Sequence, residues 1–225
     1  MFLKKNKINV AAIVPAYNEG KRIAEVLEAL VKTPIFKEII VVDDASTDDT
    51  KIVVSKLMKK YDKIKYLKNA KNMGKAYSMG MGVNETASEI IFFCDADLVG
   101  LTPKIVESII NPVLNGEYDM FIGIRSNKMQ KTVKLVAIKS GERALKREIW
   151  ENLPGFYKHR YRIETGLNYF ARKKGKIGCK IFPYYQTLKE NKYGFFKGFF
   201  LRMWMNFDVF IANLGINFYD RFRRI

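Results

Sequence analysis

The first 125 residues alternate between short apolar runs and amphipathic stretches, and this alternation limits the possible folds most. Five runs are predicted strands, at residues 8–14, 38–43, 64–69, 89–94 and 119–124. Between them the spacing predicts helices at residues 21–32, 47–61, 74–83 and 103–114. Several strands are apolar on both faces, as in a parallel sheet that is covered by helices on each side. The pattern therefore predicts an α/β fold with a doubly wound sheet.

The pattern changes after Arg125. Helices are predicted near residues 131–140, 141–152 and 163–174, and a strand is predicted at residues 176–182. No linker rich in Pro, Gly or Ser separates this part from the sheet, and the sequence contains no internal repeat. We therefore predict one domain over residues 1–194, with halves at residues 1–125 and 126–194.

Residues 195–225 form a tail with two different faces. At helical spacing, one face is apolar and the other is polar or basic. The apolar face contains Phe200, Trp204, Phe207, Ile211, Leu214, Phe218 and Phe222, and the other contains Arg202, Asn206, Asn213, Asn217, Asp220 and Arg224. This pattern favours a helix in a membrane interface over a spanning helix. The alternatives are packing on the core of the same chain or a homo-oligomer formed through this helix.

The net charge of +17 is unevenly distributed. The stretch from Arg125 to Lys192 has 18 basic and 5 acidic residues, so most of the positive charge lies there. Such a surface attracts phosphates, nucleic acid or anionic lipid. The stretch contains no nucleic-acid recognition motif, so we expect no nucleic-acid partner. Only two cysteines are present, and we expect a cytoplasmic protein, peripheral on the cytoplasmic face of the membrane.

Two carboxylates follow the apolar run that ends at Cys94. Asp95 and Asp97 are one residue apart, and such a pair repels itself unless a positive group neutralises it. A divalent metal, Mg²⁺ or Mn²⁺, suits hard oxygen ligands and can bind the diphosphate of a nucleotide. The alternative is helix capping, because Asp97 lies shortly before the helix that is predicted to begin at Pro103.

Two further segments follow predicted strands and should lie at the same edge of the sheet. Asp43 and Asp44 follow the second strand, where a carboxylate can accept a hydrogen bond from a base or a ribose; N-capping of the next helix is the alternative. Gly74 and Lys75 are at the predicted start of a helix, where backbone amides and a lysine favour phosphate binding. The alternative is an ordinary glycine turn with a solvated lysine. The sequence has no dinucleotide-binding or P-loop signature.

The segments VPAYNEG, VVDDASTDDT, NMGKAYSMG, CDADL and IGIRS together resemble family 2 glycosyltransferases of the GT-A fold. The resemblance covers about the first 125 residues, and it implies that this half binds the nucleotide-sugar and the second half binds the acceptor. The nucleotide-sugar site would contain Pro15, Ala16, Tyr17, Glu19, Asp43, Asp44, Gly74, Lys75, Asp95 and Ala96. Of these, Asp43 or Asp44 would contact the base, Gly74 and Lys75 the ribose or diphosphate, and Asp95 the ribose or metal. Asp97 would hold the metal.

Within that family, the segment around Arg125 is similar to one in polyprenyl-phosphate mannosyl- and glucosyltransferases. The similarity implies that Arg125 contacts an acceptor phosphate. Val99 is a departure, because those enzymes often have glutamine there. Glu164 begins a helix and is a candidate general base for a hydroxyl acceptor, or else a carboxylate favoured by the helix dipole. His159, the only histidine, is predicted to lie on the surface.

The resemblance implies an inverting, metal-dependent glycosyltransferase with Asp97, Glu164 and Arg125 as its catalytic residues. The donor would be a nucleotide-diphosphate sugar (a UDP- or GDP-sugar), and the acceptor a polyprenyl phosphate or another lipid-linked glycan at an anionic membrane surface. One alternative is a soluble enzyme that acts on a small phosphorylated or hydroxyl acceptor. The other is a nucleotide-sugar-binding partner without catalytic activity.

Overall fold

The computed structural model describes residues 8–126, 142–159, 161–186, 203 and 207–216. The strands are β1 (Val10–Ala16), β2 (Phe36–Asp43), β3 (Ile64–Lys68), β4 (Ile90–Phe93), β5 (Leu98–Val99), β6 (Met120–Arg125), β7 (Glu142–Lys146), β8 (Ile177–Phe182) and β9 (Tyr185–Gln186). The helices are α1 (Ile23–Val31), α2 (Thr50–Met58), α3 (Lys75–Asn84), α4 (Pro103–Leu114), α5 (Arg147–Glu151), α6 (Arg162–Lys174) and α7 (residues 207–216). The helix predicted at residues 131–140 lies outside the described residues.

The main sheet has seven strands in the order β3-β2-β1-β4-β7-β6-β8. Strands β3, β2, β1 and β4 are parallel to one another, and β8 is parallel to β6. The strands and helices predicted over the first 125 residues are confirmed to within a few residues, as are the helix and strand predicted at 163–174 and 176–182. A second sheet pairs only β5 with β9.

The helix predicted at residues 141–152 is wrong over its first half. Residues 142–146 form β7, which is antiparallel to both β4 and β6 and lies between them. Helix α5 occupies only residues 147–151. The facing edges of β4 and β6 have backbone N–H and C=O groups that need partners, and a strand at residues 142–146 supplies them. This pairing outweighs the local preference of the segment for a helix.

Helices cover both faces of the sheet, and each face has its own apolar core. Helices α1, α2 and α4 pack on one face, and α3, α5 and α6 pack on the other. Strand β1 serves both cores, because alternate residues such as Ala12 and Ile13 point to opposite faces. Helix α3 lies very close to β1: a Cβ at Gly82 would lie 2.5 Å from the Ile13 side chain. This close packing holds α3 against the sheet.

Helix α7 packs on the domain through one face. Ala212 is buried in the core beneath α6, and the carboxylate of Asp208 lies 3.6 Å from the Arg162 guanidinium. Phe207, Phe210 and Leu214 are 58%, 57% and 39% exposed on another face. The predicted alternative of packing on the core therefore holds for α7, and part of the predicted apolar face stays exposed. Within the described ranges, we find no helix that is both long and apolar enough to span a bilayer.

Candidate active site

The candidate site lies at the carboxyl ends of β1, β2 and β4. These strands run parallel, so the loops that follow them meet at one edge of the sheet. Asp95 and Asp97 follow β4, Asp43 ends β2, and Tyr17 follows β1. The sheet thus places the polar segments that the sequence singled out along a single edge.

Asp95 is the centre of a buried ion-pair network. Its Oδ1 lies 2.8 Å from Lys75 Nζ, and its Oδ2 lies 2.6 Å from Arg125 Nη2. Burial alone would raise the pKa of the Asp95 carboxyl, but the two cations outweigh burial and hold this pKa well below its ordinary value. Asp95 is therefore ionised throughout the neutral range.

This network gives Asp95 a pH-dependent contribution to stability. Because the folded-state pKa is lowered, the contribution is present above the unfolded-state pKa, about 3.9, and is lost as the pH falls below it. We expect Asp95→Asn to have a lower free energy of unfolding than wild type at pH 7, and we expect the difference to narrow between about pH 4 and pH 2. Urea unfolding at several pH values measures this, and a constant difference would contradict it.

Asp97 is buried, with 3% of its surface exposed. Its Oδ1 accepts a hydrogen bond of 2.7 Å from Gln186 Nε2, and the same nitrogen lies 3.2 Å from Asp95 Oδ2. Two carboxylates and an amide form a set of hard donors that suits Mg²⁺ or Mn²⁺. Asp97 does not cap α4, because Thr102 accepts the hydrogen bond from Ile105 at that helix start.

Lys75 and Glu164 meet at the site although they are far apart in the sequence. Lys75 Nζ lies 3.0 Å from Glu164 Oε1, so the first turn of α6 faces the first turn of α3. Gly74 has a φ of 90°, a conformation that glycine adopts without strain. It precedes α3 without a side-chain cap, so no side chain at this position accepts a hydrogen bond from the first amides of α3. Helix amides beside a lysine favour phosphate.

The two aspartates after β2 have partners within the protein. Asp43 accepts hydrogen bonds from the Ser46 amide at 2.8 Å and from the Tyr66 hydroxyl at 2.5 Å. Asp44 accepts from the amides of Met73 and Gly74 at 2.8 and 2.7 Å. Asp44 therefore holds the loop that leads into α3. Contact of either carboxylate with a base stays a prediction.

The last residues of β1 and the residues that follow them lie at the same edge of the sheet. Pro15 and Ala16 pair with Val42 and Asp43 in the sheet register. Tyr17 is 38% exposed, whereas Glu19 is buried and its amide donates a hydrogen bond of 2.9 Å to the Thr50 hydroxyl oxygen. Ala96 is buried between Asp95 and Asp97. Tyr17 is thus the member of this segment with a large accessible surface.

Arg125 ends β6 and is 5% exposed. Its guanidinium contacts Asp95, lies 3.0 Å from Glu142 Oε1 and donates to Gln186 Oε1. Arg125 therefore lies in the candidate site, where two carboxylates and an amide bind its two terminal nitrogens, Nη1 and Nη2. Contact with an acceptor phosphate stays a prediction. His159 is exposed, in agreement with its predicted surface position.

Sequence patterns did not predict three residues of the site. Glu142 and Arg143 are almost completely buried on β7, and Gln186 lies on β9. Arg143 Nη1 lies 3.4 Å from the Glu164 carbonyl and 3.3 Å from Asn168 Oδ1, so it supports the start of α6. Glu142 and Arg143 are a charged pair among apolar neighbours, and this is only a weak indication that the pair belongs to the site. Gln186 lies in no recognisable motif.

A largely parallel α/β sheet with paired carboxylates and a lysine at its carboxyl edge is an arrangement typical of the GT-A class of transferases. The sequence profile of Glycosyl transferase family 2 matches residues 11–195, and the chain belongs to this family. The matched region contains every predicted site residue from Pro15 to Glu164. The predicted family and enzyme class are confirmed.

Individual relatives agree with this classification. The dolichol-phosphate mannosyltransferase of Pyrococcus furiosus is 28% identical over 199 residues, which cover 83% of this chain and 54% of that protein. The dolichyl-phosphate beta-glucosyltransferase of Homo sapiens is 35% identical over 99 residues, which cover 39% of this chain and 31% of that protein. The chain thus spans about half or less of the length of these curated relatives.

A solved structure confirms the predicted fold. Glucosyl-3-phosphoglycerate synthase from Mycobacterium tuberculosis, in complex with Mn²⁺, UDP and glucosyl-3-phosphoglycerate, superimposes with a TM-score of 0.74. The sequence identity is 20%, and the match covers 92% of this chain and 79% of that chain. This agreement extends over the GT-A sheet.

Proposed function

We propose that the protein is a metal-dependent glycosyltransferase that moves a sugar from a nucleotide-diphosphate sugar to a lipid phosphate, with inversion. The observation that carries the proposal is the cluster of Asp95, Asp97, Lys75 and Glu164 at the carboxyl edge of a family 2 sheet. The carboxylates of the cluster can bind a divalent metal ion. The positively charged Lys75 and the helix amides can bind phosphate. A donor diphosphate needs both kinds of group.

The residues of the site suit a divalent cation such as Mg²⁺ or Mn²⁺. Asp97 would hold it, with Asp95 beside the ribose or the cation. The bound cation would stabilise negative charge on the diphosphate as it departs. Crystals of the mycobacterial synthase contain Mn²⁺ or Mg²⁺ together with UDP, which supports the choice of cation and of a UDP-sugar as a first donor to test.

The chain's own groups stabilise the leaving group and position the acceptor. Lys75 and the first amides of α3 face the developing charge on the nucleotide diphosphate. An oxygen of the acceptor forms a bond to the anomeric carbon while the bond from this carbon to the diphosphate oxygen breaks, so the nucleoside diphosphate leaves. A phosphate oxygen is already anionic and needs no base. For a hydroxyl acceptor, Glu164 would accept the proton.

Donor use is tested with the whole chain. We expect one of UDP-, GDP-, CMP- and dTDP-sugars to raise the melting temperature in the presence of Mn²⁺, because a ligand of the folded state stabilises it by mass action. Radiolabelled sugar from that donor should then pass into the organic phase when polyprenyl phosphate is supplied. Donor stabilisation without any transfer to lipid phosphate would contradict the proposed acceptor, and no stabilisation by any donor would contradict the proposed activity.

The exposed side of α7 supports a membrane-associated acceptor. Phe207, Phe210 and Leu214 follow one another at helical spacing and are all exposed, while the tail beyond ends in several arginines. Apolar side chains beside basic residues suit an anionic bilayer surface. The proposed location is therefore peripheral, at a membrane surface.

A double substitution tests this surface. We expect Phe207→Ser/Phe210→Ser to lower binding to anionic liposomes at least about tenfold, because each apolar side chain adds about 1–3 kcal/mol when it is buried in lipid. Ile52→Ser/Ile181→Ser is the matched control, since these side chains are 55% and 57% exposed on other surfaces. Flotation assays at low and high salt measure binding. Equal losses in both variants would contradict a membrane role for α7.

A soluble glycosyltransferase that acts on a small phosphorylated acceptor is the second candidate. Helix α7 packs on the domain through Asp208 and Ala212. This packing favours the soluble enzyme, because α7 can cover the domain's core without any contact with lipid. Sugar transfer to water-soluble phosphorylated acceptors, with none to polyprenyl phosphate, would support this candidate.

A further inference from the structure

Gln186 bridges the two aspartates that follow β4. Its amide nitrogen lies 2.7 Å from Asp97 Oδ1 and 3.2 Å from Asp95 Oδ2, and its amide oxygen accepts from Arg125. Within the described residues, no group of three His, Cys, Asp or Glu side chains could hold a metal. The amide of Gln186 contacts both aspartates, so it can supply a further ligand beside them.

The distances match the geometry of a metal coordination shell. Oxygen ligands lie about 2.1 Å from Mg²⁺ in a near-octahedral arrangement, so neighbouring ligand atoms are about 3.0 Å apart. The distances from the Gln186 amide to the two carboxylates, 2.7 and 3.2 Å, lie on either side of this value. The spacing of the Gln186 amide from each carboxylate is therefore compatible with a shared cation.

The backbone of Gln186 is held in place by paired strands. Gln186 lies opposite Leu98 in the antiparallel pair of β9 and β5, directly beyond Asp97. Tyr184, two residues earlier, is fully buried, its hydroxyl donates to the Gly123 carbonyl at 2.5 Å, and its own carbonyl accepts from the Ser126 amide at 3.1 Å. These contacts fix the strand from which the amide reaches the site.

We propose that Gln186 is the third protein ligand of the divalent cation, through its side-chain oxygen. The inference rests on the proposed function, which supplies the cation. Without metal, the nitrogen faces the carboxylates because only the nitrogen can donate to them. A half-turn of the amide brings the oxygen to the cation, and carbonyl oxygens are ligands that Mg²⁺ and Mn²⁺ accept. The same turn removes the acceptor that Arg125 now uses, so cation binding would leave one guanidinium nitrogen for another anion.

Metal affinity and metal preference test the assignment. Mn²⁺ binding to the whole chain is measured by electron paramagnetic resonance in the presence of UDP, without any turnover. We expect Gln186→Leu to weaken Mn²⁺ binding about tenfold or more and to leave UDP binding without metal unchanged. We expect Gln186→His to shift preference from Mn²⁺ towards Co²⁺ and Ni²⁺, which imidazole suits, and to alter the visible spectrum of bound Co²⁺. Tyr185→Phe, at the exposed neighbouring side chain, is the control.

The outcomes separate this inference from the proposed function. Wild-type Mn²⁺ affinity in Gln186→Leu would overturn the inference alone. Weaker binding in Gln186→Leu with an unchanged preference and Co²⁺ spectrum in Gln186→His would also overturn it, because the amide would then act only through Asp97. If Gln186→Leu does not fold, Gln186→His still decides the question. Absence of Mn²⁺ binding by wild type with every nucleotide would overturn both the inference and the metal dependence of the proposed function.

Discussion

Asp97→Asn should lower the rate of sugar transfer about a hundredfold or more, which corresponds to about 2.7 kcal/mol of transition-state stabilisation. The substitution keeps the shape of the side chain and removes the charge that would hold the cation. An asparagine oxygen can still accept the hydrogen bond from Gln186, now 2.7 Å long. The melting temperature should therefore change little while turnover and Mn²⁺ affinity fall.

The matched control for this prediction is Asp62→Asn. Asp62 is exposed, and the substitution makes the same chemical change far from the site. Transfer of radiolabelled sugar, measured over a range of Mn²⁺ concentrations, compares the three proteins. Turnover by Asp97→Asn at the wild-type rate and the same Mn²⁺ concentration would show that Asp97 holds no catalytic metal.

Arg125→Met should lower the free energy of unfolding by about 3–5 kcal/mol, because it leaves a buried charge without its partner. The side chain of Glu142 is 0% exposed and lies 3.0 Å from Arg125 Nη2. Burial lowers the pKa of Arg125 on its own, but the nearby Glu142 and Asp95 carboxylates outweigh burial and raise it well above its ordinary value. Arg125 therefore stays charged in the folded protein.

A double-mutant cycle separates this charge effect from lost packing. We expect Arg125→Met/Glu142→Leu to be more stable than the sum of the two single substitutions predicts, by more than about 1 kcal/mol, because both buried charges are then gone. Urea unfolding of wild type and the three variants gives the coupling free energy. Additive losses would mean that the pairing of Arg125 with Glu142 does not stabilise the fold.

The sequence predicted those parts of the fold that depend on local periodicity. Strands β1 and β4 are continuous apolar runs, β2 contains such a run at residues 39–42, and α4 has both an N-cap at Thr102 and an apolar face. Strand β7 could not be predicted in this way, because its place between β4 and β6 is set by pairing with strands elsewhere in the chain. Local periodicity carries no information about such a partner.

The residues of the candidate site likewise fall into those that a local motif predicts and those that it does not. The sequence identified Asp95, Asp97 and Lys75, since each lies in a motif at a strand end or a helix start. It missed Gln186, which meets Asp95 from 91 positions away, and the structural role of Asp44, which binds amides 29 and 30 positions away. Contacts of this range follow from strand order, and only the assembled sheet brings these residues together.

The position of β7 also determines the order in which the sheet can form during synthesis. Strands β1 to β4 can pair with one another as soon as residue 93 has left the ribosome, because they are contiguous in the sheet, in the order β3-β2-β1-β4. Strand β6 cannot join them, since its partners β7 and β8 are made later and β7 separates it from β4. A nascent chain that ends near residue 125 therefore exposes an unpaired edge on β4 together with an unpaired β6. Exposed edges of this kind favour aggregation, so translation across residues 126–146 is the stage at which a chaperone would protect this protein most.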